Sequence, residues 1–235
     1  MVGKKQRAFT LIELLVVIAI ISILAGMLMT GIVLVKQRAK IGMARSEMKH
    51  LAAAISQYEG AYSRLPGIIP APPFPAGSDV TYGLTNGLAG SVPSNTVVML
   101  ILMAIDTAPP FPFSNDVNPH HAKNPQRSTY FDPKMVSGTD SPGLSTVDYQ
   151  FRDPWGNPYV ITLDMNSDGK CDDALYKLDA VSAPGSYGLS NPSGTQNKWE
   201  LSGPVMIWSL GPDGKADGTQ NAKSGVNKDN VLGWQ

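Results

Sequence analysis

The sequence predicts an α+β chain in which one long amino-terminal helix, half apolar and half amphipathic, packs on a small antiparallel β-sheet with long loops. Three observations carry this. From Leu14 to Val35 there are 22 residues without a charge. An apolar stripe with alternating steps of three and four residues then runs on to Tyr62, and no proline interrupts from Phe9 to Leu65. Segments rich in β-branched and aromatic residues, bounded by turn residues, come only in the last third of the chain.

The chain opens with MVGKKQR, which carries Lys4, Lys5 and Arg7 and no acid. At about 1.5 Å per residue the charge-free run covers roughly 33 Å, enough to cross a hydrocarbon core of about 30 Å. Basic residues before such a run stay in the cytoplasm and send the following chain outward. A secretory signal has an apolar region of only about 7–15 residues with a small-residue cleavage site behind it. Here the run is longer and no such site precedes Lys36. One acid, Glu13, sits almost at its start. A lone carboxylate in a membrane-length helix is costly and marks function. A free α-amino group on an identical neighbour would relieve it, provided the preceding residues are cut away.

Beyond Lys36, the residues Ile41, Ala44, Met48, Leu51, Ile55, Tyr58 and Tyr62 form the stripe, while Arg45, Glu47, Lys49 and Glu59 fall off it. Gly26 and Gly31 lie in the first half of the helix, where they permit either local unwinding or close helix–helix approach. Arg64-Leu65-Pro66-Gly67 ends the helix. Residues 66–93 read as a long loop, a short buried helix or core strand is expected over 96–105, and residues 107–147 look irregular. Strands are expected at 158–164, 174–181 and 204–211, with a shorter one from Tyr149 to Arg152.

Side-chain charges balance over the whole chain, 19 basic against 19 acidic, which excludes the electrostatic footprint of a nucleic-acid binder. The single cysteine, Cys171, excludes an intrachain disulfide. No G-x-S-x-G, H-E-x-x-H or phosphate-binding glycine loop is present, and His50, His120 and His121 lack a catalytic context, so no enzyme is expected.

After residue 62 the chain holds 15 Asp and one Glu. Asp favours caps and turns, so these acids belong to loops that either bind a cation or only shape turns. DMNSDGKCDD, residues 164–173, matches the first half of an EF-hand-type loop. Asp164, Asn166 and Asp168 would supply oxygens at alternate positions, Gly169 the sharp turn and Lys170 a backbone carbonyl. The twelfth position is Leu175 instead of Glu, so Asp172 or Asp173 would substitute. Such an oxygen set suits calcium; a metal-free hairpin of turn-forming acids is the alternative.

The amino terminus, a short basic leader and a small residue followed by FTLIE and an apolar helix, resembles the class III signal of type IV pilins and type II secretion pseudopilins. The resemblance implies a pilin-like fold and cleavage by a prepilin peptidase between Ala8 and Phe9, with N-methylation of Phe9. It also implies pairing of Glu13 with a neighbour's amino terminus during assembly. The family usually has Gly where this chain has Ala8, which is also small. The chain then divides into a leader (1–8), a transmembrane and assembly half of the helix (9–36), an amphipathic half (37–64) and a periplasmic or extracellular head (65–235).

DPWGNPY (153–159), SLGPDG (209–214) and DNVLGW (229–234) resemble segments of the major pseudopilin of type II secretion. By that resemblance a second calcium site takes backbone carbonyls from Leu210 and Lys215 and carboxylates from Asp213 and Asp229. The interval from Asp213 to Asp229 is longer than in the family, and Asp217 is a local substitute. The implied function is a structural subunit of a type II secretion pseudopilus or type IV pilus-like filament. The alternative is a minor pilin whose head binds a ligand, DNA or secreted substrate. The implied partners are further copies and other pilins, the prepilin peptidase, and an inner-membrane assembly platform with a cytoplasmic ATPase. The implied location is the inner membrane, single-pass with the head in the periplasm, and afterwards a periplasmic or cell-surface filament.

Overall fold

The computed structural model describes residues 9–68, 78–84, 92–107, 117–183 and 185–235, with residues 28–31 described in backbone only. The leader, including Ala8, lies outside the described residues. Helix α1 runs Leu11–Tyr62, 52 residues, and continues through both Gly26 and Gly31. It crosses from one compact unit, ending at Lys40, into a second, Ile41–Gln235.

In the first unit the side chains described along α1 are exposed, and the most apolar 18-residue window of the helix has a mean hydropathy of 2.8 with no part buried. By length and composition this is a helix able to cross a membrane. In the second unit the sequence-derived stripe is the buried face: Ala44, Met48, Leu51, Ile55 and Tyr58 are all inaccessible, and Ala54 joins them. Each large apolar side chain so buried contributes about 1.5–3 kcal/mol of transfer free energy.

The strands are β1 (Val80–Tyr82), β2 (Met135–Val136), β3 (Gly143–Ser145), β4 (Phe151–Arg152), β5 (Val160–Leu163), β6 (Lys170–Cys171), β7 (Leu201–Ser202), β8 (Val205–Ser209) and β9 (Val231–Leu232). The main sheet has four antiparallel strands in the order β1-β5-β8-β9, with Val80 opposite Leu163 and Ile161 opposite Ile207. Smaller sheets pair β2-β3-β4 and β6-β7, and β2 and β3 run parallel.

Alternation along the central strands divides the head into two cores. Ile161, Leu163 and Ile207 face the core shared with α1 and with helix α2 (Thr96–Leu102). Val160, Met206 and Trp208 face a second core with Cys171, Leu175 and Tyr176. Burial on both faces is why these strands read as near-continuous apolar runs. Helix α2 is buried from Val97 to Leu102 and stops there, short of residue 105.

The strand expected at 174–181 does not form. Residues 174–178 are turns and Asp179–Ser182 is a short helix, α3. The cause is Asp173: its Oδ1 accepts the N–H groups of Leu175 (2.9 Å) and Tyr176 (3.0 Å), which winds the chain into a helical turn.

Candidate functional site

At the start of α1 the residues Thr10 and Glu13 close a capping box. The Thr10 N–H (2.9 Å) and hydroxyl (2.7 Å) both donate to Glu13 Oε2, and the Glu13 N–H donates back to Thr10 Oγ1 (3.3 Å). Glu13 therefore has a local role, apart from the intermolecular one expected from the sequence. The signal was available: T-x-x-E before an apolar run is the capping-box pattern. Phe9 stands one residue before the cap, 80% exposed.

The first acidic loop is ordered by its own backbone. Asp164 Oδ2 accepts the Gly169 N–H (2.9 Å) and its Oδ1 the Asp168 N–H (3.3 Å). Asn166 Oδ1 accepts the same Asp168 N–H (3.0 Å), and Asp168 Oδ1 accepts the Lys170 N–H (2.9 Å). Gly169 sits at φ +79°, in the left-handed region that the sharp turn needs. The loop joins β5 to β6.

The two acids offered to close this site point elsewhere. Asp172 pairs with Lys198 (3.0 Å). Asp173 is fully buried, and its Oδ2 accepts the Thr162 hydroxyl (2.6 Å) and the Trp208 indole N–H (3.1 Å). Together with the two amides above, all its acceptor positions are in use. In their place the fold brings Asp79, just before β1. Its Oδ2 accepts the Asp172 N–H (2.7 Å), while its Oδ1 is buried with no hydrogen-bond partner. Burial, with Asp172, Asp164 and Asp168 adding repulsion, pushes the Asp79 carboxyl up to about 6. Sequence reasoning missed Asp79, and nothing local marks it.

The second loop is tied to the DPWGN turn. Asp153 Oδ1 accepts the N–H groups of Trp155 and Asn157 (both 2.9 Å), and its Oδ2 accepts the Ser209 hydroxyl. Burial raises the Asp153 carboxyl against the pull of these donors. Asn157 donates to the Gly211 carbonyl (2.7 Å). Gly211, at φ +67°, lies so close to the end of the chain that a Cβ would stand 2.3 Å from the Asp229 carbonyl oxygen. This approach brings the Leu210–Gly211 segment and Asp213 next to Asp229. Asp213 Oδ1 accepts the Lys215 N–H (3.0 Å), and Asp229 Oδ1 is buried without a partner. Burial first and Asp213 second raise the Asp229 carboxyl. Asp217 turns away: its carboxylate accepts from Thr219 and Gln220.

An orphaned buried carboxylate oxygen thus stands at each loop, Asp79 Oδ1 beside the first and Asp229 Oδ1 in the second, which is the chemistry a hard cation would satisfy. Among the described residues, no three His, Cys, Asp or Glu side chains converge as a ready metal cage. Either loop would therefore depend on amide and backbone carbonyl oxygens and on water.

Residues 3–29 match the family model of the prokaryotic N-terminal methylation motif. The match supports the resemblance to type IV pilin-like proteins, with the prepilin-peptidase processing and methylation that go with this segment, and points to a structural protein. It stops well before the head. No curated protein and no solved structure matches the chain.

Proposed function

We propose that this chain is a structural subunit of a type II secretion pseudopilus or type IV pilus-like filament. The observation that carries the reading is the methylation segment at residues 3–29 leading into an apolar helix whose first turn holds one acid, Glu13. Cleavage after Ala8 would free the Phe9 amino group. Glu13 of one copy then meets the Phe9 ammonium of another, and apolar helices exchange lipid for each other. The head lies in the periplasm until a cytoplasmic ATPase and its membrane platform drive extraction.

We further propose that calcium orders the two acidic loops. The first would use Asp164, Asn166, Asp168, the Lys170 carbonyl and Asp79; the second Asp213, Asp229 and the carbonyls of Leu210 and Lys215. Their unpartnered buried oxygens, Asp79 Oδ1 and Asp229 Oδ1, support this. Bound calcium would neutralise these acids and stabilise the folded head by mass action.

The test is Glu13→Gln in cells that carry the assembly machinery. Leader removal and methylation of Phe9, read by mass spectrometry, should persist while filament yield collapses. Normal filaments from the variant, or an intact leader on the wild-type protein, would sink the reading.

A further inference from the structure

We propose that copies of this chain dock side by side through two patches of opposite charge that flank the buried stripe of α1. One is a basic patch at Arg45, Lys223 and Lys228; the other is an acidic cleft at Glu47 and Asp132. The inference rests on the filament reading and specifies how neighbouring heads meet.

The helix sets the geometry. Met43, Glu47 and His50, spaced by four and three residues, lie on one flank of α1 and line a cleft of about 190 Å³ with Phe131 and Asp132. Arg45 is two residues from Glu47, roughly 200° around the axis, and so lies on the other flank. There it lines a second cavity, about 80 Å³, with Lys223, Lys228, Tyr176 and Tyr187. Ala44, Met48 and Leu51 are buried between the two flanks. The patches therefore stand on opposite sides of the head at one height on the helix.

The basic patch is open to an outside partner. Arg45, Lys223 and Lys228 are exposed, and none makes an ion pair within the described residues. Arg152, Lys170 and Lys198, by contrast, are paired, with Asp148, with Glu200, and with Asp172 and Glu200. Lys223 stands over the Tyr187 ring at 5.2 Å, and Lys228 acts electrostatically on its neighbour Asp229. Across the helix, the buried Tyr159 hydroxyl donates to Glu47 Oε2 (2.6 Å) and holds that carboxylate at the cleft. Asp132 is exposed beside it, and Lys134 is the one cation lining the cleft. Met43, 53% exposed, gives the cleft an apolar floor for the stem of a Lys or Arg.

A second copy is the occupant that both patches fit. Two-fold pairing would set basic against basic and acidic against acidic. Translation sideways sets each basic patch into the next copy's acidic cleft. Such a contact is heterologous and does not close, so it propagates a filament. Surface charge pairs of this kind set register and partner choice more than affinity.

The experiment uses the full chain, expressed with its own assembly machinery. Arg45→Glu with Lys223→Glu should lower the yield of sheared filaments at least tenfold, with leader cleavage and tryptophan-detected melting unchanged. Adding Asp132→Lys should restore yield at least threefold. Independently, Asp132→Cys and Lys228→Cys in one chain, whose native Cys171 is buried away from the reagent, should give a ladder of multimers with a short bis-maleimide, while either single variant stays monomeric. Wild-type yield from the Glu variant, or a ladder from a single cysteine, overturns the docking surfaces alone. If processed wild-type protein forms no filaments at all, the filament reading falls with them.

Discussion

Replacing Asp79 by Asn separates a cation-binding acid from one that only shapes a turn. In the metal-free head the Asp79 carboxyl is raised from 3.8 to about 6, mainly by burial. A raised carboxyl favours the protonated form when folded. Its contribution is therefore intact below pH 4 and is lost as pH rises toward and past 6. Two pKa units correspond to nearly 3 kcal/mol at about 1.36 kcal/mol each. The side chain is only half-buried, so solvent screening reduces this to about 1–2 kcal/mol. Asn keeps an oxygen for the Asp172 N–H and sets an amide nitrogen among Asp164, Asp168 and Asp172. All four tryptophans lie in the head, so their fluorescence reports its unfolding in the detergent-solubilised full chain. In chelator at pH 7.5 the variant should melt about 3–6 °C above wild type, from a conversion of roughly 2–4 °C per kcal/mol. The gap should shrink as pH falls toward 4. Millimolar calcium should raise wild type by a similar amount if Kd is about 10⁻⁴–10⁻³ M, and leave Asp79→Asn nearly unmoved. If the variant melts no higher in chelator, or answers calcium as wild type does, the placement of Asp79 at a cation site is wrong.

Gly211→Ala should cost about 2–3 kcal/mol, since it combines a left-handed backbone with a Cβ that meets the Asp229 carbonyl; a fall in melting temperature of about 5–10 °C is expected. Tyr159→Phe removes the donor to Glu47, a half-buried carboxyl that burial already raises. Because that bond favours the ionised acid, the loss, about 1–2 kcal/mol, should be larger at pH 7.5 than at pH 4 in denaturant titrations. Thr10→Val should leave leader cleavage intact and lower filament yield several-fold, whereas Thr10→Ser, which keeps the hydroxyl, should match wild type in the same shearing assay.

The amphipathic half of α1 was legible because local periodicity records which face is buried: every residue from Ala44 to Tyr58 named in the stripe is inaccessible. The central strands were legible for the same reason, each being apolar toward two cores. Failure came where the deciding partner is distant in sequence. ALYKLDAV has strand composition, yet Asp173 turns it, and Asp173 is held from its far side by Thr162 and by Trp208, 35 residues on. Asp79 meets Asp172 across 93 residues, far beyond the reach of any local sequence pattern. The second loop was half legible: Leu210, Asp213 and Asp229 do come together, because Gly211 lets the chain approach Asp229. Asp217 instead answers to Thr219 and Gln220.

The capping box changes what Glu13 must do. In the free subunit both Thr10 donors converge on Oε2, so the carboxylate is partly satisfied before any neighbour arrives. The helix amino terminus adds its own positive end. Once the leader is gone, the chain's own Phe9 ammonium also lies one residue before that cap. On the proposed assembly, a cation merely near Glu13 would therefore not drive polymerisation, since the processed chain would supply one itself. A partner shifts an equilibrium only by the difference between the two states. The neighbour's ammonium would have to improve on the chain's own, and the low-dielectric interior of a helix bundle is where that difference would become large.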